Sequence, residues 1–159
     1  MTDSHIYSFF GKETAIILQT SSKNKPYIFL RCIKKNKNDI WEKWSKNEGK
    51  AIKFSIEEII MILRVLHGKQ PSWSTYHRFN EKQTQISFNM QNNEQLFISI
   101  DKYKKMLSIA QIEVLKLLLE HILKEKIEFA TKFEVNHKEK SEKIQINNDS
   151  IYIEEEVIP

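Results

Sequence analysis

The chain holds one cysteine, Cys32, three glycines and three prolines in 159 residues. A lone cysteine excludes an internal disulfide and a cysteine-based metal site, and it points to a reducing compartment. So little glycine argues against folds built on Gly-rich phosphate loops, and neither GxGxxG nor GxxxxGK[ST] occurs. Long apolar runs are missing too: none approaches the roughly 20 residues that span a bilayer. The opening MTDSHIYSFF lacks the basic start and apolar stretch of a secretory signal. These gaps lead to the expectation of a cytoplasmic protein without a membrane segment.

What remains is a globular composition, 40% hydrophobic and 29% charged, in a chain long enough for one domain with a core. The net charge of +4 is unevenly spread. Residues 134–159 set Lys138, Lys140 and Lys143 against Glu134, Glu139, Glu142, Asp149, Glu154, Glu155 and Glu156, a net of −4, which leaves +8 on residues 1–133. The expected organisation is a basic domain over residues 1–131 and an acidic, flexible tail over 132–159. A basic body suits an anionic polymer such as nucleic acid, and the same charge also serves plain solubility.

Two segments have helical periodicity behind a cap. Residues 55–67, SIEEIIMILRVLH, open with Ser55 and Glu58 in the S-x-x-E capping box, carry Ile56, Ile59, Ile60, Leu63 and Leu66 at helical spacing, and stop at Gly68. Residues 108–126, SIAQIEVLKLLLEHILKEK, repeat the cap with Ser108 and Gln111. The second apolar stripe is Ile109, Ile112, Leu115, Leu118, Leu119, Ile122 and Leu123. Strand candidates precede each helix: residues 7–10, 14–20, 27–33 and 50–54, then 73–79, 84–90 and 96–100. In 84–90, Ile86, Phe88 and Met90 alternate with Gln85, Ser87 and Asn89, as in a strand with one wet face. The predicted fold class is α+β: antiparallel sheets packed on two main helices, with a possible sheet–helix duplication. Met61, Ile62, Val65, Val114 and Leu117 lie outside the stripes. Helices this apolar point to a homo-oligomer, a dimer or tetramer, assembled through them.

Several chemistries compete for the polar residues. Ser72, Ser74 and His77 sit close in SWSTYHRF (residues 72–79), but a strand points Ser74 away from His77, which disfavours a catalytic dyad. His5, His67, His77, His121 and His137 form no HxH or HxxxH pair, so no metal site and no cofactor is expected. Glu57, Glu58, Asp101 and Glu113 are the acids of an alternative reading as a metal-dependent nuclease. A protein-interaction adaptor using the tryptophans is a further alternative.

Aromatic and basic residues interleave in YIFLRCIKK (27–35) and DIWEKWSKNEGKAIK (39–53). Bases stack on aromatic faces while Lys and Arg neutralise phosphates. Any one tryptophan is ordinarily a packing residue; the grouping on a +8 body favours binding. The candidate contacts are Arg31, Lys34, Lys43, Lys50, Lys53 and Arg78 for phosphates, and Trp41, Trp44, Trp73, Tyr76 and Phe97 for bases. In 72–79 Phe79 marks the face of Trp73, Thr75 and His77 as inward, which favours Tyr76 and Arg78 for ligand and makes Trp73 the weakest of the set.

The passage KAIKFSIEEIIMILRVL (50–66), a basic strand running into a capped helix, resembles the strand-to-helix passage of the Whirly and PC4-like single-stranded nucleic-acid-binding proteins. Together with WSTYH, TQISF and VLKLLLEHILKEKIEFAT, it is also similar to the archaeal ThermoDBP-related single-stranded DNA-binding proteins, over residues 6–131. The resemblance implies single-stranded DNA, or RNA, lying across the sheets of a homo-oligomer, and it implies no catalytic residue. It does not cover the tail, whose expected role is to compete with nucleic acid or to meet partner proteins.

Overall fold

The structure, a computed structural model, describes residues 4–20 and 22–132. The acidic tail expected beyond residue 131 lies, from residue 133 onward, outside the described residues. Four strands, β1 (His5–Phe9), β2 (Thr14–Thr20), β3 (Tyr27–Lys34) and β4 (Lys50–Ser55), lead into helix α1 (Ile56–Leu66). Four more, β5 (Ser72–Phe79), β6 (Lys82–Gln91), β7 (Gln95–Ile100) and β8 (Tyr103–Leu107), lead into helix α2 (Ile109–Phe129). Each set forms one antiparallel sheet with its strands in chain order. The α+β class therefore holds, and the order sheet–helix is traversed twice.

Local sequence accounts for the joints. At α1, Ser55 Oγ accepts from the Glu58 N–H at 3.2 Å and the Ser55 N–H donates to Glu58 Oε1 at 3.0 Å, the complete capping box. Gly68 ends α1 with φ +75°, while the His67 and Lys69 amides return to Leu63 and Arg64 carbonyls. At α2 the Ser108 N–H donates to Gln111 Oε1 at 3.1 Å. The β5–β6 hairpin turns through Asn80 and Glu81, both at positive φ. The β6–β7 turn uses Asn92 and Asn93 in the same way. Strand β8 was not among the expected strands; Asp101 at φ 56° makes the tight turn into it.

Both sheets turn one face toward both helices. Ile16, Leu18, Ile28, Leu30, Ile52 and Phe54 from the first sheet join Ile86, Phe88, Leu96, Ile98, Ile100 and Leu107 from the second. The helices add Ile59, Ile62, Leu63, Val65, Leu66, Ile112, Leu115, Leu119 and Ile122 to the same core. The α1 stripe differs from the expected one: Ile62 and Val65 are buried and Ile60 is exposed. The reason is that α1 packs on β4, β5, β6 and α2 together, which covers a broader arc than one sheet would.

Helix α2 reaches back across the molecule to the first sheet. Its Lys126, 1% exposed, donates to the carbonyls of Ser22 and Lys25 at 2.9 and 2.6 Å, so its charge is met by backbone dipoles of the β2–β3 turn. Cys32 is buried in β3, and desolvation pushes its thiol up to about 12. Among the described residues no helix is long and apolar enough to cross a membrane.

Candidate nucleic-acid interface

Alternation along the first sheet decides what faces away from the helices. With Leu18, Leu30 and Phe54 turned inward, Ile17, Gln19, Tyr27, Phe29, Arg31 and Lys53 turn outward. The register puts Gln19, Phe29 and Lys53 in one row across β2, β3 and β4, and Ile17, Arg31 and Ala51 in the next. Arg31 Nε donates to Gln19 Oε1 at 2.7 Å, and the guanidinium carbon lies 5.9 Å from the centre of the Phe29 ring. Tyr27 and Phe29 meet edge to face with centroids 5.5 Å apart. Lys53 Nζ sits 4.4 Å from the centre of the Tyr27 ring. Two rings and two cations thus alternate over a few residues of neighbouring strands. Partial desolvation lowers the Arg31 pKa, and a guanidinium so placed still keeps its charge at neutral pH.

The second sheet presents a different outer face. Ser74, Ser87, Ser99 and Lys104 stand in one row across β5 to β8, and Lys104 Nζ donates to Ser99 Oγ at 3.1 Å. Ser72, Asn89, Phe97 and Met106 form the adjacent row. Tyr76 is exposed on this face, and Arg78 Nη2 donates to Gln83 Oε1 at 3.1 Å. It is a polar surface with Tyr76, Phe97 and Met106 standing out of it.

The loop between β3 and β4 makes a basic rim where the two sheets meet. Trp41 bridges to Lys35 and stands edge to face with Phe10, centroids 5.4 Å apart. The Lys34 ammonium lies 5.5 Å from the Tyr103 ring centre, and the Tyr103 hydroxyl donates to Glu42 Oε1 at 2.9 Å. Burial, with that bond to a carboxylate, pushes the Tyr103 pKa up. Lys43 is exposed, and its N–H donates to Glu48 Oε1 at 2.6 Å. Lys50 pairs with buried Cys32 and so belongs to the inward side of β4, at its rim end.

The residues expected to contact nucleic acid therefore fall into three places. Arg31 and Lys53 share the outer face of the first sheet; Tyr76, Arg78 and Phe97 share that of the second; Lys34, Trp41, Lys43 and Lys50 lie at the rim. Trp44 begins a short 3-10 turn, Trp44–Lys46, and its side chain lies outside the described residues. Trp73 has to be removed from the set. It faces inward, tilted against Phe54 and Phe88 with centroids 6.4 and 6.2 Å away, because strand parity puts it with Thr75 and His77. Phe79 shares that parity, but it stands at the hairpin end, past the core, and is 77% exposed. Tyr27 and Phe29 join Arg31 on the outer face without having been singled out from the sequence, although their parity with Arg31 was the available signal.

The other candidate chemistries are dispersed. His77 Nε2 lies 2.8 Å from Glu58 Oε2, on the opposite face of β5 from Ser74, so this histidine braces the α1 cap. Among the acids of the nuclease reading, Glu58 is engaged in that cap, Asp101 forms the β7–β8 turn and Glu113 pairs with Lys116. Among the described residues the one group of three or more metal-ligating side chains is His5, His121 and Glu125, which the sequence spacing did not reveal.

Comparison with known proteins rests on structure alone. No family model and no curated protein sequence matches the chain. A guide-RNA-binding protein complex, solved bound to a guide RNA, is similar in fold: TM-score 0.57 at 11% identity, over 82% of this chain and 95% of that one. Trypanosoma brucei MRP1/MRP2 aligns with TM-score 0.49 at 10% identity, over 82% of this chain and 89% of that one.

Proposed function

We propose that the protein binds single-stranded nucleic acid, RNA or DNA, in a sequence-tolerant way across the outer faces of its sheets. The observation that carries this reading is the outer face of the first sheet, where Tyr27 and Phe29 interleave with Arg31 and Lys53 opposite the helices. Aromatic rings there offer stacking platforms worth roughly 1–3 kcal/mol per base, and the adjacent cations meet phosphates without reading sequence. The second sheet adds Tyr76, Phe97, Arg78 and Lys104, and the rim adds Lys34, Trp41, Lys43 and Lys50. The fold shared with a guide-RNA-binding protein supports nucleic acid as the ligand class and sets RNA beside DNA. A relationship to the Whirly, PC4-like and ThermoDBP-related proteins fits the same reading.

In this proposal the protein is a binder and not an enzyme. It works as a homo-oligomer through its helices, whose Ile60, Ile109, Leu117 and Ile127 are exposed. The test is fluorescence anisotropy with labelled oligo-dT and oligo-U at several salt concentrations. The expected result is saturable binding that weakens as salt rises, with log K linear in log salt. No binding to either oligomer at low salt, or binding indifferent to salt, overturns the proposal. Cleavage of the oligomer on adding Mg²⁺ or Mn²⁺ would favour the nuclease instead.

A further inference from the structure

The fold gathers metal-ligating side chains that are far apart in the chain. His5 begins β1, the edge strand of the first sheet, while His121 and Glu125 stand one turn apart on α2. Their donor atoms all lie within 4.8 Å of one another. His5 Nε2 is 3.0 Å from Glu125 Oε1, and His121 Nε2 is 3.2 Å from Glu125 Oε2. The two imidazoles meet edge to face, centroids 5.2 Å apart.

Two features distinguish this group from a surface ion pair. Glu125 engages each imidazole with a different oxygen, so both Nε2 atoms converge on one carboxylate. The group is also graded in exposure: the Glu125 and His5 side chains are 23% and 29% exposed, whereas His121 is 58% exposed and leaves an approach from solvent. Ligands held tetrahedrally at zinc bond lengths stand about 3.3 Å from one another. The two histidine–Glu125 separations are already close to that, and all the donor atoms lie within 4.8 Å. Two imidazole nitrogens and a carboxylate oxygen suit borderline divalent cations, with a fourth position left for water. Mg²⁺ and Ca²⁺ prefer sets made of oxygen alone.

We propose that His5, His121 and Glu125 form a site for a divalent transition-metal cation of the zinc class, which fastens edge strand β1 to helix α2. Coordination uses the same atoms that now hydrogen-bond across the group. The ligands come from opposite ends of the described chain, so the unfolded chain has no preformed site and binding favours the folded state. The site is separate from the nucleic-acid reading, since His5 lies on the inward parity of β1 with Phe9 and the other two ligands are helical.

The test uses the untagged full chain, stripped with chelator, then titrated with ZnCl₂ by calorimetry and with CoCl₂ by visible absorption. One equivalent should bind, Co²⁺ should develop a d–d absorption band, and the thermal midpoint should rise. His121→Ala and Glu125→Gln should each weaken binding by at least about tenfold. His67→Ala, which breaks the separate His67–Glu120 pair, should leave binding unchanged. Circular dichroism of the metal-free variants checks that they remain folded. Absence of saturable one-equivalent binding, or binding that survives both His121→Ala and Glu125→Gln, overturns the proposal.

Discussion

If nucleic acid lies on the first sheet, Phe29→Ala and Lys53→Ala should fail in different ways. Phe29 is half-buried in the central strand β3, between Gln19 and Lys53 in its row, and its ring faces away from the core. Truncating it removes one stacking platform and no core contact. At roughly 1–3 kcal/mol per stacked base, Kd should rise about 5- to 150-fold at every salt concentration. Arg31 stays anchored through its bond to Gln19, so the number of phosphates neutralised should be unchanged. Lys53→Ala removes one cation and should reduce the slope of log K against log salt by about 0.7, the increment for one phosphate on a single strand. If Arg31, Lys53, Arg78 and Lys104 each meet a phosphate, the parent slope is about −2.8.

The assay is anisotropy with oligo-dT and oligo-U across a salt series, with thermal melts of each variant to confirm a cooperative fold. Of the tryptophans whose side chains are described, neither reports on this face, because Trp73 packs inside and Trp41 sits at the rim. A Phe29→Ala protein that binds within twofold of the parent refutes the stacking argument. A Phe29→Ala change in slope, with none for Lys53→Ala, refutes the division of roles between ring and cation.

Trp73→Ala should lower stability by about 2–4 kcal/mol in a denaturant titration, because the ring packs on Phe54 and Phe88, while the folded protein keeps its affinity for oligonucleotide. Lys126→Met keeps the apolar stem but loses two hydrogen bonds to the β2–β3 turn, and should cost about 2–4 kcal/mol by the same titration. At pH 8 the native Cys32 thiol should react with iodoacetamide at least roughly a thousandfold more slowly than in the unfolded chain, because the thiolate population falls by about that ratio for a group moved from 9.0 to about 12 and burial also shuts out the reagent. The sign for stability follows: the folded thiol holds its proton longer, so this contribution is intact below pH 9 and is lost between about pH 9 and 12. Melts of Cys32→Ala should show a shallower alkaline decline than the parent.

Both helices and most of the strands were legible because their signals are local. Ser55 and Glu58 announce a cap within four residues, and Ile86, Phe88 and Met90 announce a strand face within five. Strand β8 was not legible, since Lys104 and Lys105 interrupt alternation and the turn Asp101–Lys102 contains neither Gly nor Asn. The duplication itself held the missing clue, as four strands before α1 call for four before α2. The inward turn of Trp73 was legible from parity, yet its chemistry as a large aromatic outweighed that parity. The His5–Glu125 contact joins residues 120 apart, and no spacing rule reaches that far.

The duplication also separates what folding requires of each sheet from what it leaves open. The inward faces of both sheets supply one shared core, so both are constrained to be apolar, and both are. The outward faces carry no such constraint, and there the two units part. The second unit sets Ser74, Ser87 and Ser99 in one row, with exposed Tyr76, Phe97 and Met106 beside it. The first unit places Ile17, Tyr27 and Phe29 on the corresponding face, against the demand of solubility, and sets Arg31 and Lys53 among them. Side chains that serve neither the core nor solubility are the ones to test for a ligand. Among them Phe29 has Lys53 beside it in its row and Arg31 against its ring, which makes Phe29→Ala the sharpest test of the proposed function.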